Sequence, residues 1–149
     1  MYETTVKVKK LNPKARLPKY GTEYSAGADL FACLDCDKVE IAPGESVFIH
    51  TGLALQIPEH LVGLVYARSG LAAKRGLAPS NKVGVVDCDY RGEIMVSMHN
   101  HSNEVQTVED GERVAQIVFA PYVYARLEET ESLDETVRGA GGFGSTGNK

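Results

Sequence analysis

Apolar and polar residues along most of this chain alternate with a period of two rather than 3.6, which predicts strands. Thr5 to Leu11 alternates Val6 and Val8 with Lys7 and Lys9, and Pro13 and Pro18 then hold an irregular connection. Val39 to Ile41 and Ser46 to Ile57 are two further strands, parted by Pro43-Gly44 and ended by Pro58. Leu61 to Tyr66, Val105 to Val108 and Val114 to Phe119 continue the series, the last two joined by a Glu109-Asp110-Gly111-Glu112 turn. Only Leu71 to Arg75 has helical character, and Gly76 stops it. The pattern predicts an all-β sandwich or barrel with one short helix.

One stretch carries more than its fold requires. Val83 to Val86 leads into Asp87-Cys88-Asp89-Tyr90-Arg91-Gly92, and Glu93 to Met98 alternates again, which predicts a β-hairpin with Gly92 free to take a positive φ. A plain turn needs only Asp-Gly or Asn-Gly, whereas this one holds two carboxylates, a tyrosine and an arginine. Asp87 and Asp89 share a parity in an extended chain, so the pattern does not rank them. A second candidate is Arg68-Ser69-Gly70 at the helix start. Unpartnered N–H groups and a guanidinium fork suit an anion, and an N-cap serine beside a surface arginine accounts for the same residues. Ser25 to Ala32 places Asp29 among small residues, where it can close a turn after Gly27.

Composition narrows the classes. The 149 residues suit one domain, with 43% hydrophobic and 24% charged residues as in globular chains. A net charge of -4 and a pI near 5.6 argue against a general nucleic-acid or membrane-surface binder. Lys7, Lys9, Lys10, Lys14, Arg16 and Lys19 form a local basic cluster, which reads as the wet face of a strand. The first residues carry no apolar core of a signal peptide, and the longest apolar run, Leu61 to Ala67, is too short to span a bilayer, so a cytoplasmic setting is expected. Cys33 and Cys36 form one Cys-x-x-Cys without a second pair, and Cys88 stands alone, so neither a zinc site nor a disulfide framework is indicated. His99 and His101 share a side in an extended chain, but nothing at ligand-like spacing joins them, and an exposed polar loop is expected.

Glu128 to Glu135 is acidic and unpatterned, as in a solvated linker. Beyond it, Arg138 to Gly147 holds five glycines, Phe143, Ser145 and Thr146. Gly142 to Gly147 has the outline of a phosphate-binding P-loop, but Asn148 stands where the lysine belongs. A frayed end and a lid that orders over a ligand both remain. Ordering such backbone costs about 1–2 kcal/mol per residue, so a lid closes only on a ligand with strong contacts.

Five segments, Ala26 to Leu30, Arg68 to Gly70, Gly84 to Gly92, Arg113 to Gln116 and Arg138 to Gly147, resemble in order and spacing the motif set of the trimeric deoxyuridine triphosphatases. The resemblance implies a jelly-roll-like β-barrel of the dUTPase type over residues 1–127. Residues 128–149 would be linker and flexible glycine-rich C-terminal lid of the same domain. It implies a homotrimer with active sites shared between subunits, and hydrolysis of dUTP to dUMP and pyrophosphate by water attack at the α-phosphorus. Mg²⁺ would be held mainly by the triphosphate, with no direct protein ligand and Asp29 near its waters. Asp87 matches the water-activating carboxylate and Tyr90 the ring that packs on deoxyribose. Asn81, Val85, Val86 and Met95 match the uracil pocket. Arg68, Ser69, Gly70, Gln116 and Arg138 match phosphate-handling positions, and Phe143 the ring over the uracil, with Gly144, Ser145 and Thr146 beside it in the lid. Three residues depart from the family's usual pattern: Ala67 for proline, Arg75 for histidine and Glu112 for aspartate.

Two other readings compete. A dCTP deaminase shares the fold, but the glycine-phenylalanine tail and the Asp87-to-Tyr90 turn follow the hydrolase. An interaction protein could retain the fold for binding alone, against which the motifs run intact from end to end.

Overall fold

The computed structural model describes residues 3–143. Among the described residues eleven strands and one helix occur in the order β1 (Lys7–Lys10), β2 (Lys19–Tyr20), β3 (Ala28–Phe31), β4 (Lys38–Ile41), β5 (Ser46–Gln56), β6 (Leu61–Tyr66), α1 (Ser69–Arg75), β7 (Leu77–Pro79), β8 (Gly84–Val86), β9 (Glu93–Asn100), β10 (Gln106–Glu109) and β11 (Arg113–Pro121). They form an antiparallel sheet β1-β5-β9-β7, a second sheet β2-β3-β11-β6-β8 and a ribbon β10-β4. The all-β class with one short helix is as expected, built as two sheets and a ribbon around a shared core rather than as one closed ladder.

Period-two patterning builds that core. On β9, Ile94, Val96 and Met98 are buried while Met95 is exposed, and Asn100 ends the buried row. They pack with Ile49 and Leu55 of β5, Leu30 of β3, Val65 of β6 and Ile117 of β11, so residues of both sheets share one cluster. Asn100 escaped the sequence reading of an exposed loop. It is fully buried, donates to the carbonyls of Ile41 and Glu104 at 2.8 Å each, and accepts from Ser102 N–H. A buried amide with its bonds made is a peg rather than a cost. Cys33 is equally structural, buried with Ala15 and Leu53 in a small second cluster, and burial pushes its thiol pKa up.

The expected hairpin is the main correction. β8 pairs with β6 in one sheet and β9 with β5 and β7 in the other, and no ladder joins β8 to β9. Local alternation marks a strand but is silent on which sheet takes it. The chain from Val86 to Glu93 is therefore a crossing between sheets. Gly92 does not take a positive φ. Its reason is space: a Cβ there would stand 2.5 Å from Cζ and 2.9 Å from Cε2 of Tyr90. Asp29 likewise lies on strand β3, opposite Gln116 of β11, and does not close a turn. The helix does end at Gly76, whose φ of 66° is the left-handed cap that glycine supplies.

Candidate functional site

Two clefts gather most of the candidate site residues named above. The first, of about 240 Å³, opens where β8 and β9 part, lined by Asn81, Gly84, Val85, Val86, Asp87 and Tyr90 on one side and Glu93 to Ser97 on the other. β8 is an edge strand, and β7 reaches β9 only at Met98 to Asn100, so both strands border this gap outside any ladder, although the Glu93, Ile94 and Ser97 carbonyls already accept from Tyr90 Oη, Thr51 Oγ1 and Ser80 N–H. Unspent N–H and C=O groups on a rigid frame are what reads the edge of a flat polar ring. The volume lies below the ~300–1,000 Å³ of drug-sized ligands, so the gap suits a single ring.

Tyr90 is fixed here by its neighbours. Its N–H donates to the Asp87 carbonyl at 3.2 Å, closing the turn, and its hydroxyl donates to the Glu93 carbonyl at 3.1 Å. The Glu93 carboxylate is in turn anchored on β5, accepting from Gly52 N–H at 2.8 Å and bonding His50 Nδ1 at 2.9 Å. Glu93 was missed as a site residue, because in sequence it is only the polar phase of a strand. Arg91 proves to be spent on the turn, with Nη1 donating to the carbonyls of Cys88 at 2.7 Å and Tyr90 at 3.0 Å. The two aspartates are parted: Asp87 lines this cleft, whereas Asp89 lines another hollow with Cys88 and Arg91.

The second cleft, of about 470 Å³, is lined by Gly27, Asp29, Tyr66, Arg68, Ser69, Gly70, Arg113 and Gln116 among others. Asp29 organises it. Its Oδ1 accepts from Arg68 Nε at 2.8 Å and its Oδ2 from Arg113 Nη1 at 3.3 Å, while Arg68 Nη1 also reaches the Arg113 carbonyl at 3.3 Å. One carboxylate thus holds two guanidiniums at the cleft and leaves a net positive charge facing it. Arg68, not Ser69, is the N-cap of α1, in extended conformation and without a side-chain cap bond. Gln116 donates through Nε2 to the Ala67 carbonyl at 2.9 Å and lies flat across Gly27, where a Cβ would meet its Oε1. Among the described residues no three His, Cys, Asp or Glu side chains gather to hold a metal. Among the described residues Asp29 is the only carboxylate lining this cleft, already facing two cations.

The clefts share no lining residue. Asn81, Val85, Val86, Asp87, Tyr90 and Met95 are brought together in one, and Arg68, Ser69, Gly70 and Gln116 in the other, joined there by Arg113, which the motif match contains without assigning it a role. Arg138 and Phe143 join neither. They lie in the stretch 122–143, which has no helix or strand, and Phe143 is fully exposed. Gly144, Ser145 and Thr146 lie outside the described residues. No described helix is long and apolar enough to cross a membrane.

Comparison with known proteins follows the same lines. The family model dUTPase matches residues 13–147. A deoxyuridine 5'-triphosphate nucleotidohydrolase of Acinetobacter baumannii is 48% identical over 147 residues, covering 95% of this chain and 97% of its own. One of Desulfitobacterium hafniense is 53% identical over 133 residues, covering 89% and 87%. Among solved structures, a mutant dUTPase of Staphylococcus bacteriophage 80alpha with dUpNHpp superposes with a TM-score of 0.85 at 29% identity, covering 97% of this chain and 99% of that one. A mutant dUTPase of the S. aureus phage phi11, described with a structural Mg(II) ion, gives 0.75 at 26%, covering 87% and 98%. By its model match over most of its length and by relatives near half identical, this chain belongs to the dUTPase family.

Proposed function

We propose that the protein hydrolyses dUTP to dUMP and pyrophosphate, and that the gap between β8 and β9 reads the uracil ring. The observation that carries this reading is a ring-sized cleft bordered by two strands that do not pair with each other, with Asp87 and Tyr90 at one end. A fixed donor and acceptor pattern that suits uracil sets cytosine's amino group against a donor. Such a polar mismatch can discriminate by about 10⁴ or more, and apolar packing alone cannot. Packing by Val85, Val86 and Met95 would exclude a thymine methyl, and the Tyr90 ring, held down on Gly92, would leave no room for a 2′-hydroxyl.

Asp87 takes a proton from water as the water oxygen bonds the α-phosphorus. The α–β bridging P–O bond breaks, and its electron pair leaves with pyrophosphate. The remaining work is positioning and charge neutralisation. Arg68, Ser69, Gly70 and Gln116 supply donors for the phosphate oxygens. No described residue would ligate Mg²⁺ directly; it would ride on the triphosphate, with Asp29 the carboxylate that would reach its waters, and would neutralise phosphate charge when bound. The reading includes a homotrimer, as in the trimeric family the motifs resemble, in which one subunit's base cleft faces another's phosphate cleft, and the separation of the two clefts within one chain fits such sharing. Arg138, Phe143, Gly144, Ser145 and Thr146 would close over the joint site from the tail. In a cytoplasmic setting the reaction would limit uracil incorporation into DNA and supply dUMP for thymidylate synthesis.

The test is pyrophosphate release from dUTP by Asp87→Asn and Asp89→Asn proteins. Asp87→Asn is expected to abolish turnover while retaining dUTP binding, and Asp89→Asn to do less. The reverse ranking would assign the base to the wrong carboxylate. Subunit sharing is checked by mixing Asp87→Asn chains with Arg68→Ala chains under refolding conditions: each alone should be inactive, and the mixture should regain activity.

A further inference from the structure

Arg75 and Glu112, two departures from the usual pattern, are 37 residues apart and touch each other. Arg75 Nη1 pairs with Glu112 Oε1, Nη2 donates to the Thr107 carbonyl, and Nε faces Gln106 Oε1 at 3.4 Å. The other Glu112 oxygen accepts from Glu109 N–H at 3.0 Å, and its carbonyl accepts from Ala32 N–H at 2.8 Å, so the carboxylate stands on a fixed base. Neither residue lines the phosphate cleft.

Their place in the chain gives the contact its meaning. Arg68, just before α1, is bound to Asp29 and to the carbonyl of Arg113; Arg75, the last residue of α1, is bound to Glu112. The adjacent pair Glu112-Arg113 thus anchors both ends of one short helix. A seven-residue helix is about 10 Å long, so two anchors fix its direction, and with it where Ser69 and Gly70 point. Leu71 in the core and the Gly76 carbonyl, which accepts from His101 N–H at 2.8 Å, hold the body of the helix, and the two guanidinium ties set its orientation on Glu112-Arg113. The cation at its C-terminal end also complements the helix dipole.

We infer that Arg75 and Glu112 are positioning residues for the phosphate half of the site, acting as one unit through the helix that carries Ser69 and Gly70. The inference rests on the dUTP reading above. It separates them from residues that merely stabilise the fold, because loss of the tie should weaken grip on the phosphate chain and leave the base cleft, on other strands, unchanged.

The experiment compares Arg75→Gln, Glu112→Gln and the double variant for binding of α,β-imido-dUTP and of dUMP, which lacks the β- and γ-phosphates. Each single change is expected to weaken the imido analogue about tenfold with dUMP affinity unchanged, and the double to be no worse than the worse single. Equal losses for both ligands, additive losses, or no loss would overturn the inference. Should Arg75→Gln fail to fold, Glu112→Gln, which keeps an oxygen for Glu109 N–H, and Arg75→Lys, expected to retain part of the affinity, carry the same comparison. Wild-type protein that bound neither nucleotide would instead overturn the dUTP reading beneath it.

Discussion

Replacing Asp29 by asparagine removes one charge at the point where two cations meet. The side chain is 14% exposed and Arg68 is 26% exposed, so their 2.8 Å bond is mostly shielded from solvent. A hydrogen bond between charged groups in such a place contributes about 2 kcal/mol. The Arg113 contact is longer, at 3.3 Å, and its side chain is 54% exposed. Solvent screening holds that contact below about 1 kcal/mol. Asparagine keeps one acceptor and turns its amide donors toward the other guanidinium, so one contact is lost and a donor clash replaces it. If substrate must then hold Arg68 in place, about 2 kcal/mol is taken from transition-state binding, roughly thirtyfold in kcat/KM. The assay is continuous pyrophosphate release from dUTP well below the melting midpoint, with oligomeric state checked in parallel. A change in kcat/KM of less than about twofold, well short of the ~2 kcal/mol assigned to the bond, would refute the clamp. So would an effect confined to the Mg²⁺ concentration needed for half-maximal rate, which would put the carboxylate's work on the metal's waters.

Two further outcomes test other parts of the site. Gly92→Ala sets a methyl against the Tyr90 ring, whose hydroxyl is tied to Glu93, so the ring must lift; kcat/KM ratios for dUTP over UTP should fall, with the fold retained on circular dichroism. Deletion from Arg138 onward removes Arg138 and Phe143, which join neither cleft of their own chain, with the residues after them, and should leave a folded oligomer with turnover reduced by orders of magnitude. Unchanged turnover would remove the lid from the mechanism.

What could be seen in the sequence was what local periodicity controls. The alternation of Ile94, Val96 and Met98 marked a half-buried strand, Gly76 marked the helix end, and the all-β class followed from their repetition. Strands β2 and β7, of two and three residues, were too short to carry a period. The hairpin was misread because alternation reports a strand's faces and not its neighbours, and the partners of β8 and β9 lie in different sheets. For the site, motif residues were visible but not their grouping. Asp87 and Asp89 share a strand parity yet line different hollows, since a turn between them ends the parity rule. Asp29 with Arg113, and Arg75 with Glu112, are long-range pairs whose partners no spacing rule connects. Gly92 looked like a turn glycine and is instead the floor under an aromatic ring.

The central claim is that a uracil-reading gap selects a deoxyuridine triphosphate for α-phosphate hydrolysis. Its most direct measurement is pyrophosphate release from dUTP, UTP, dTTP and dCTP in parallel, with ammonia followed in the dCTP reaction. Turnover of dUTP alone is expected, with dCTP slower by about 10⁴ or more. Comparable turnover of UTP or dTTP, ammonia from dCTP, or dUTP bound without pyrophosphate release would contradict it.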